Sequence, residues 1–144
     1  MAPADPIGAT RAGRYVKVPV LAGSTRDESK LFPGLLAMRP ARCLHYRFDW
    51  DELPSPFDKA YGAAHSFDLP SIFGNFGPSL YSTIPFSRVN RAGRLDLSAQ
   101  MMQSIGSFAR DGDPNSASLG SVWPAWPRSL VFDSNLEAAR LAVE

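Results

Sequence analysis

The sequence predicts an α/β chain whose few, mostly parallel strands, flanked by helices, make only part of a sheet. Two runs rich in β-branched and aromatic residues, Tyr15 to Gly23 and Cys43 to Trp50, read as strands. A stretch with a 3.6-residue apolar period, Leu97 to Arg110, reads as a helix ahead of a short apolar run at Leu130 to Asp133. Two or three strands are few for a parallel sheet, which normally has several strands and both faces covered. The pattern therefore suggests a piece of a larger domain.

Residues 1–14, rich in Ala, Gly, Pro and Arg, read as a loose lead-in to a segment spanning 15–144. In the first strand Pro19 cannot donate to a ladder, so it belongs at the strand's start or at a bulge, and Gly23 reads as the strand's end. Ser24, Thr25 or Asp27 could cap a short helix through Leu31, which Pro33-Gly34 would stop. Residues 51–64 read as a Pro- and charge-bearing loop, 65–74 as a turn with a short helical piece, and 75–95 as loop.

In the long helix Leu97, Met101, Ile105 and Phe108 share one face, with Asp96 or Ser98 as the cap and Arg110 near the C-terminal dipole. Gly106 costs about 1 kcal/mol against alanine there, so something should pack on it. Gly112 suits the position after the helix, and Asp113-Pro114-Asn115 a turn. Leu130-Val131-Phe132-Asp133 reads as a final strand, and Leu136 to Val143 as a terminal helix.

Composition excludes several function classes. With 44% hydrophobic and 20% charged residues the 144-residue chain suits an ordinary globular domain. Its net charge is +1 and its 15 basic residues are scattered, so no nucleic-acid partner is expected. No apolar run approaches the ~20 residues of a membrane span, and Met1 to Pro6 carries no basic-then-apolar leader, so a soluble chain is expected. Cys43 is the only cysteine and reads as a small buried hydrophobe in a strand. One cysteine with two histidines offers no metal constellation, and no cofactor is expected.

Four segments, in order, resemble the type-B carboxylesterase and cholinesterase family of α/β-hydrolases. Val18-Pro19-Val20-Leu21-Ala22-Gly23-Ser24-Thr25-Arg26-Asp27-Glu28 is similar to the strand and turn that carry the family's catalytic glutamate. Tyr46-Arg47-Phe48-Asp49-Trp50 is similar to the next strand. Gly62-Ala63-Ala64-His65-Ser66-Phe67-Asp68-Leu69-Pro70-Ser71-Ile72-Phe73-Gly74-Asn75 is similar to the loop carrying the catalytic histidine. Phe108-Ala109-Arg110-Asp111-Gly112-Asp113-Pro114-Asn115 and Trp123-Pro124-Ala125-Trp126-Pro127 resemble the closing helix and its proline-rich exit. The resemblance implies the C-terminal part of an α/β-hydrolase fold, with Glu28 and His65 at the acid and base positions.

The sequence also departs from the family pattern. Ser29 follows the acid where the family carries glycine, Asp68 stands where it carries glutamate, and a helical stretch between the acid turn and the next strand is much shortened. The fold's triad order is Ser, then Asp or Glu, then His. Glu28 and His65 keep that order, but only 27 residues precede Glu28 and no G-x-S-x-G elbow occurs among the 144. The nucleophile Ser and the glycine-rich oxyanion loop are absent.

In a complete enzyme of this kind His65 would take the serine proton and return it to the leaving alcohol, while an ionised Glu28 would orient the imidazole. His45 and Asp27 read as structural, as strand and turn residues, and Ser24 and Ser66 as turn residues without an elbow. The aromatic Trp123–Pro127 segment reads as a packed loop rather than a polyproline ligand. The implied substrate is a small-molecule carboxylic ester, and the expectation for these residues alone is no hydrolysis. One alternative is half of a split esterase, complemented by an N-terminal chain; another is a non-catalytic interaction module. A strand edge left without its neighbour would favour self-association.

Overall fold

The computed structural model describes residues 4–14, 16, 18–27, 43–79 and 84–144. Four strands form one sheet in the order β1-β2-β3-β4. These are β1 (Val20–Thr25), β2 (Cys43–Phe48), β3 (Ser129–Ser134) and β4 (Ala139–Val143). The first three are parallel, with Val20 opposite Cys43 and Tyr46 opposite Leu130, and β4 returns antiparallel to β3. The helices are α1 (Pro6–Arg11), α2 (Phe57–Tyr61), α3 (Leu69–Phe73) and α4 (Arg91–Asp111).

Pro19 stands just before β1, where its missing donor costs no ladder bond. Gly23 does not end the strand, which continues to Thr25. Its missing side chain serves packing instead, since a Cβ on Gly23 would lie 1.9 Å from Cζ of Tyr46. Ser24 and Thr25 therefore belong to β1, while the helix expected through Leu31 lies outside the described residues.

Alternation along β2 sends Tyr46 and Phe48 to one face, where β3 adds Leu130 and Phe132. Helix α4 covers that face with Leu97 and Met101, both fully buried. Trp50, Leu119 and Trp123 complete the core, and Trp123 and Phe132 both pack against Tyr46 edge-on. Each fully buried Phe or Leu contributes about 1.5–3 kcal/mol relative to exposure. Trp123 is pinned as well as packed. Its indole Nε1 donates to Ser104 Oγ at 2.8 Å, and Ser104 donates to the Pro114 carbonyl at 2.7 Å.

Several elements differ from the sequence expectation. Residues 6–11 of the supposed lead-in form α1, and the supposed loop 51–64 contains α2. Helix α4 starts at Arg91, six residues before Leu97. Neither Asp96 nor Ser98 caps it, because Asp96 accepts the Ala139 N–H and Ser98 donates to the Ser71 carbonyl. Its first turn is fixed by Asn90, whose amide donates to the Glu52 and Pro85 carbonyls while its oxygen accepts from Ser87 N–H and Arg94 Nη1. The packed glycine is Gly93 rather than Gly106. A Cβ on Gly93 would lie 1.8 Å from the Asn135 carbonyl oxygen, whereas one on Gly106 meets only the end of Arg110.

The terminal helix expected at Leu136 to Val143 is a strand. Asn135 Oδ1 accepts the N–H groups of Glu137 and Ala138, which turns the chain so that Ala139–Val143 pairs with β3. Ala139, Leu141 and Val143 are half-buried while Arg140 and Ala142 are exposed, a period of two. That period and the added ladder prevail over the helical preference of Ala, Leu and Glu, which tertiary context routinely overrides.

Candidate functional site

The parallel strands β1, β2 and β3 end on the same side of the sheet, and in open α/β sheets ligands bind outside these carboxyl ends. Beyond Thr25 the chain turns through Arg26 and Asp27. Arg26 N–H donates to the Phe48 carbonyl at 2.9 Å, and Asp49 N–H donates to the Phe132 carbonyl at 2.9 Å. These bonds carry the ladder just past the strand ends, so the turn is held to the sheet.

The loop bearing His65 meets this turn directly. Asp27 N–H donates to the Ala63 carbonyl at 3.2 Å, and Ala63 N–H donates to Asp27 Oδ2 at 3.0 Å. Gly62 has φ +55 and a Cβ there would lie 2.3 Å from Asp27 Oδ2, so glycine meets both the left-handed conformation and the close approach. Ala63 is fully buried and Phe67 nearly so, while His65 between them is exposed. Two apolar anchors thus present one imidazole at the surface.

The far side of the loop is tied to β2. Tyr46 Oη donates to Asp68 Oδ2 at 2.9 Å. Ser66 takes φ +70, a conformation that is uncommon for a residue other than glycine. Phe67 N–H donates to the Ala64 carbonyl at 3.1 Å and Leu69 N–H to the Ser66 carbonyl at 3.3 Å, closing a tight turn directly into α3.

Glu28, expected at the acid position, lies outside the described residues, as does Ser29. Its predecessor Asp27 is described, and so are the residues preceding His65. The structure therefore joins the two sequence-predicted segments one residue before Glu28 and two before His65.

His45 stands apart from this loop, near the amino end of β2. Its Nδ1 lies 2.8 Å from Ser129 Oγ and its Nε2 3.4 Å from Ser24 Oγ, with Trp126 edge-on at 5.6 Å. Burial, reinforced by the Arg47 cation, holds its pKa below the ordinary histidine value. The packed-strand reading of His45 agrees with this, and Trp126 is the member of the aromatic loop that reaches it.

Charged groups crowd the carboxyl ends of the strands. Arg26 pairs with Asp27 at 3.4 Å and with Asp51, and Arg47 makes two parallel bonds to Asp49 at 2.7 and 2.8 Å. Burial, with help from Asp51 and Asp49, pushes the Asp133 carboxyl above its usual range, and Glu52 is raised by burial and by Asp51. The sequence reading missed both this cluster and the Asp27–Ala63 tie. Charges from three separate segments, 26–27, 47–52 and 133, give no single local motif, and only the strand order brings them together. Among the described residues no group of three or more His, Cys, Asp or Glu could hold a metal ion. No helix of the described residues is long and apolar enough to cross a membrane.

No protein-family model matches the chain. It is 30% identical over 99 residues to the para-nitrobenzyl esterase of Bacillus subtilis, a match covering 63% of this chain and 18% of that protein. It is 28% identical over 109 residues to the acetylcholinesterase of Gallus gallus, covering 74% of this chain and 13% of that one. The chain thus spans less than a fifth of the length of either curated relative. Among solved structures, carboxylesterase EST55 of Geobacillus stearothermophilus superposes with a TM-score of 0.66 at 22% identity, over 96% of this chain and 41% of that one. A structure of PNB esterase superposes with a TM-score of 0.68 at 20% identity, over 99% and 39%. At those identities the superpositions establish the fold, an α/β-hydrolase fold of which this sheet is a part. In sequence and in fold, the chain is thus similar to a part of these esterases.

Proposed function

We propose that this chain supplies the general base and its orienting acid to a serine carboxylic ester hydrolase, and that these 144 residues hydrolyse no ester by themselves. On this reading residues 15–144 correspond to the C-terminal part of the hydrolase domain, His65 is the base and Glu28 the acid. The observation that carries the proposal is the pair of hydrogen bonds between Asp27 and Ala63, which joins the two segments at the carboxyl ends of the parallel strands.

The chemistry follows from that placement. A surface imidazole beside a turn that carries a carboxylate can take a proton from a hydroxyl presented to it, and the carboxylate stabilises the resulting cation. A hydroxyl on a sharp strand-to-helix elbow and backbone amides for the oxyanion would come from a serine-bearing portion. Strand β1 lies at one edge of the sheet among the described residues, and its outer edge offers that portion a place to pair. The substrate on this reading is a small carboxylic ester.

Complementation tests it. The chain is mixed with the separately expressed serine-bearing N-terminal portion of the Bacillus subtilis para-nitrobenzyl esterase, and labelling of the elbow serine by a fluorophosphonate is followed. Labelling should appear only in the mixture and be lost with His65→Ala. Labelling of equal strength with His65→Ala would refute the assigned base.

A further inference from the structure

We propose that Asp27 is a positioning residue, whose carboxylate and amide clamp Ala63 and thereby set where the His65 turn stands relative to β1. The inference rests on the base role proposed for His65 and deepens it by naming what holds that base in place.

The geometry is specific. Asp27 is half-buried at the end of the β1 turn, and Ala63, two residues before His65, is fully buried. The peptide of Ala63 is gripped on both sides, its N–H by Asp27 Oδ2 at 3.0 Å and its carbonyl by Asp27 N–H at 3.2 Å. The slot that lets Oδ2 reach this position exists because Gly62 has no Cβ. On the other side of His65, Asp68 is fixed by Tyr46. The segment between the two ties is five residues from Ala63 to Phe67, closed by the Phe67-to-Ala64 bond, so its freedom is small once both ends are held.

The clamp needs an acceptor at Oδ2 rather than a charge. The same oxygen lies 3.4 Å from Arg26 Nε, so a purely electrostatic role would act through Arg26 instead. Asp27→Asn keeps an oxygen acceptor and removes the charge, whereas Asp27→Ala removes both.

The test uses the 144-residue chain and its two variants, read by amide hydrogen exchange and by the ring resonances of His65. With Asp27→Ala the Ala63 amide should exchange at least about tenfold faster and the His65 signals should shift, with amides of β3 unchanged. Asp27→Asn should restore both readouts close to the parent. The proposal is overturned if Ala63 and His65 are unmoved in Asp27→Ala, or if Asn and Ala variants move them equally. It is also overturned if Asp27→Ala loses protection across β3, which would make Asp27 a determinant of the whole fold. None of these outcomes depends on catalysis, whereas failure of the esterase reading would show as absent fluorophosphonate labelling in the complemented mixture.

Discussion

The hydroxyl of Tyr46, in the middle of β2, donates to the carboxylate of Asp68, three residues beyond His65. One bond thus couples the sheet core to the turn that presents the histidine, since Tyr46 is itself packed against Phe132 and Trp123. Tyr46→Phe keeps the ring and removes the donor. A hydrogen bond to a charged group contributes about 1.5–3 kcal/mol, and Asp68 is half-buried, so a loss of about 1–2 kcal/mol in chemical denaturation is expected. An unchanged midpoint would show that water replaces the phenol at no cost.

Two glycines of α4 should respond with opposite signs. Gly93→Ala forces a Cβ to within 1.8 Å of the Asn135 carbonyl oxygen, which is backbone and cannot step aside cheaply. Overpacking of this kind costs about 1–3 kcal/mol. Gly106→Ala meets only the flexible end of Arg110 and should gain up to about 1 kcal/mol from helix propensity. Thermal melting of the two variants checks the pair; stabilisation by Gly93→Ala would disprove the close contact with the β3–β4 turn.

Ser104 relays one hydrogen bond to the next inside the core, accepting from Trp123 Nε1 and donating to the Pro114 carbonyl. Ser104→Ala leaves a buried indole N–H and a buried carbonyl without that partner, at a cost of about 1–3 kcal/mol each. Denaturation should show a loss of at least about 2 kcal/mol together with a change in Trp123 fluorescence.

The lowered pKa of His45 makes a pH prediction. In the unfolded chain the imidazole protonates near pH 6.5, whereas in the folded chain burial and Arg47 delay protonation to lower pH. Between those values the unfolded state binds more protons, so stability falls as pH drops through about 6.5 toward the folded pKa. His45→Gln should flatten that part of the profile. A slope unaltered by the substitution would assign it to other groups.

How much of this was legible depended on whether the signal was local. The β2 run from Cys43, the apolar period of α4 and the Gly112 position after it are short-range patterns, and the structure places them as read. The order of the acid and histidine segments was legible only as a family resemblance, because no periodicity links Asp27 to Ala63. The failures fell where distant contacts decide. Gly23 looked like a strand terminator because its tolerance for Tyr46 is invisible without β2. Ala139 to Val143 looked helical because β3, the ladder that makes it a strand, is specified elsewhere in the chain. The early start of α4 depends on Asn90 binding the carbonyls of Glu52 and Pro85, one of them 38 residues away.

The most direct test of the account is fluorophosphonate labelling of the 144-residue chain alone, read by intact mass and by peptide mapping. The account predicts no adduct on any serine, including Ser24 and Ser66 beside the two motifs. An adduct that forms on one serine and disappears in His65→Ala would contradict it, because the chain would then hold a working nucleophile of its own.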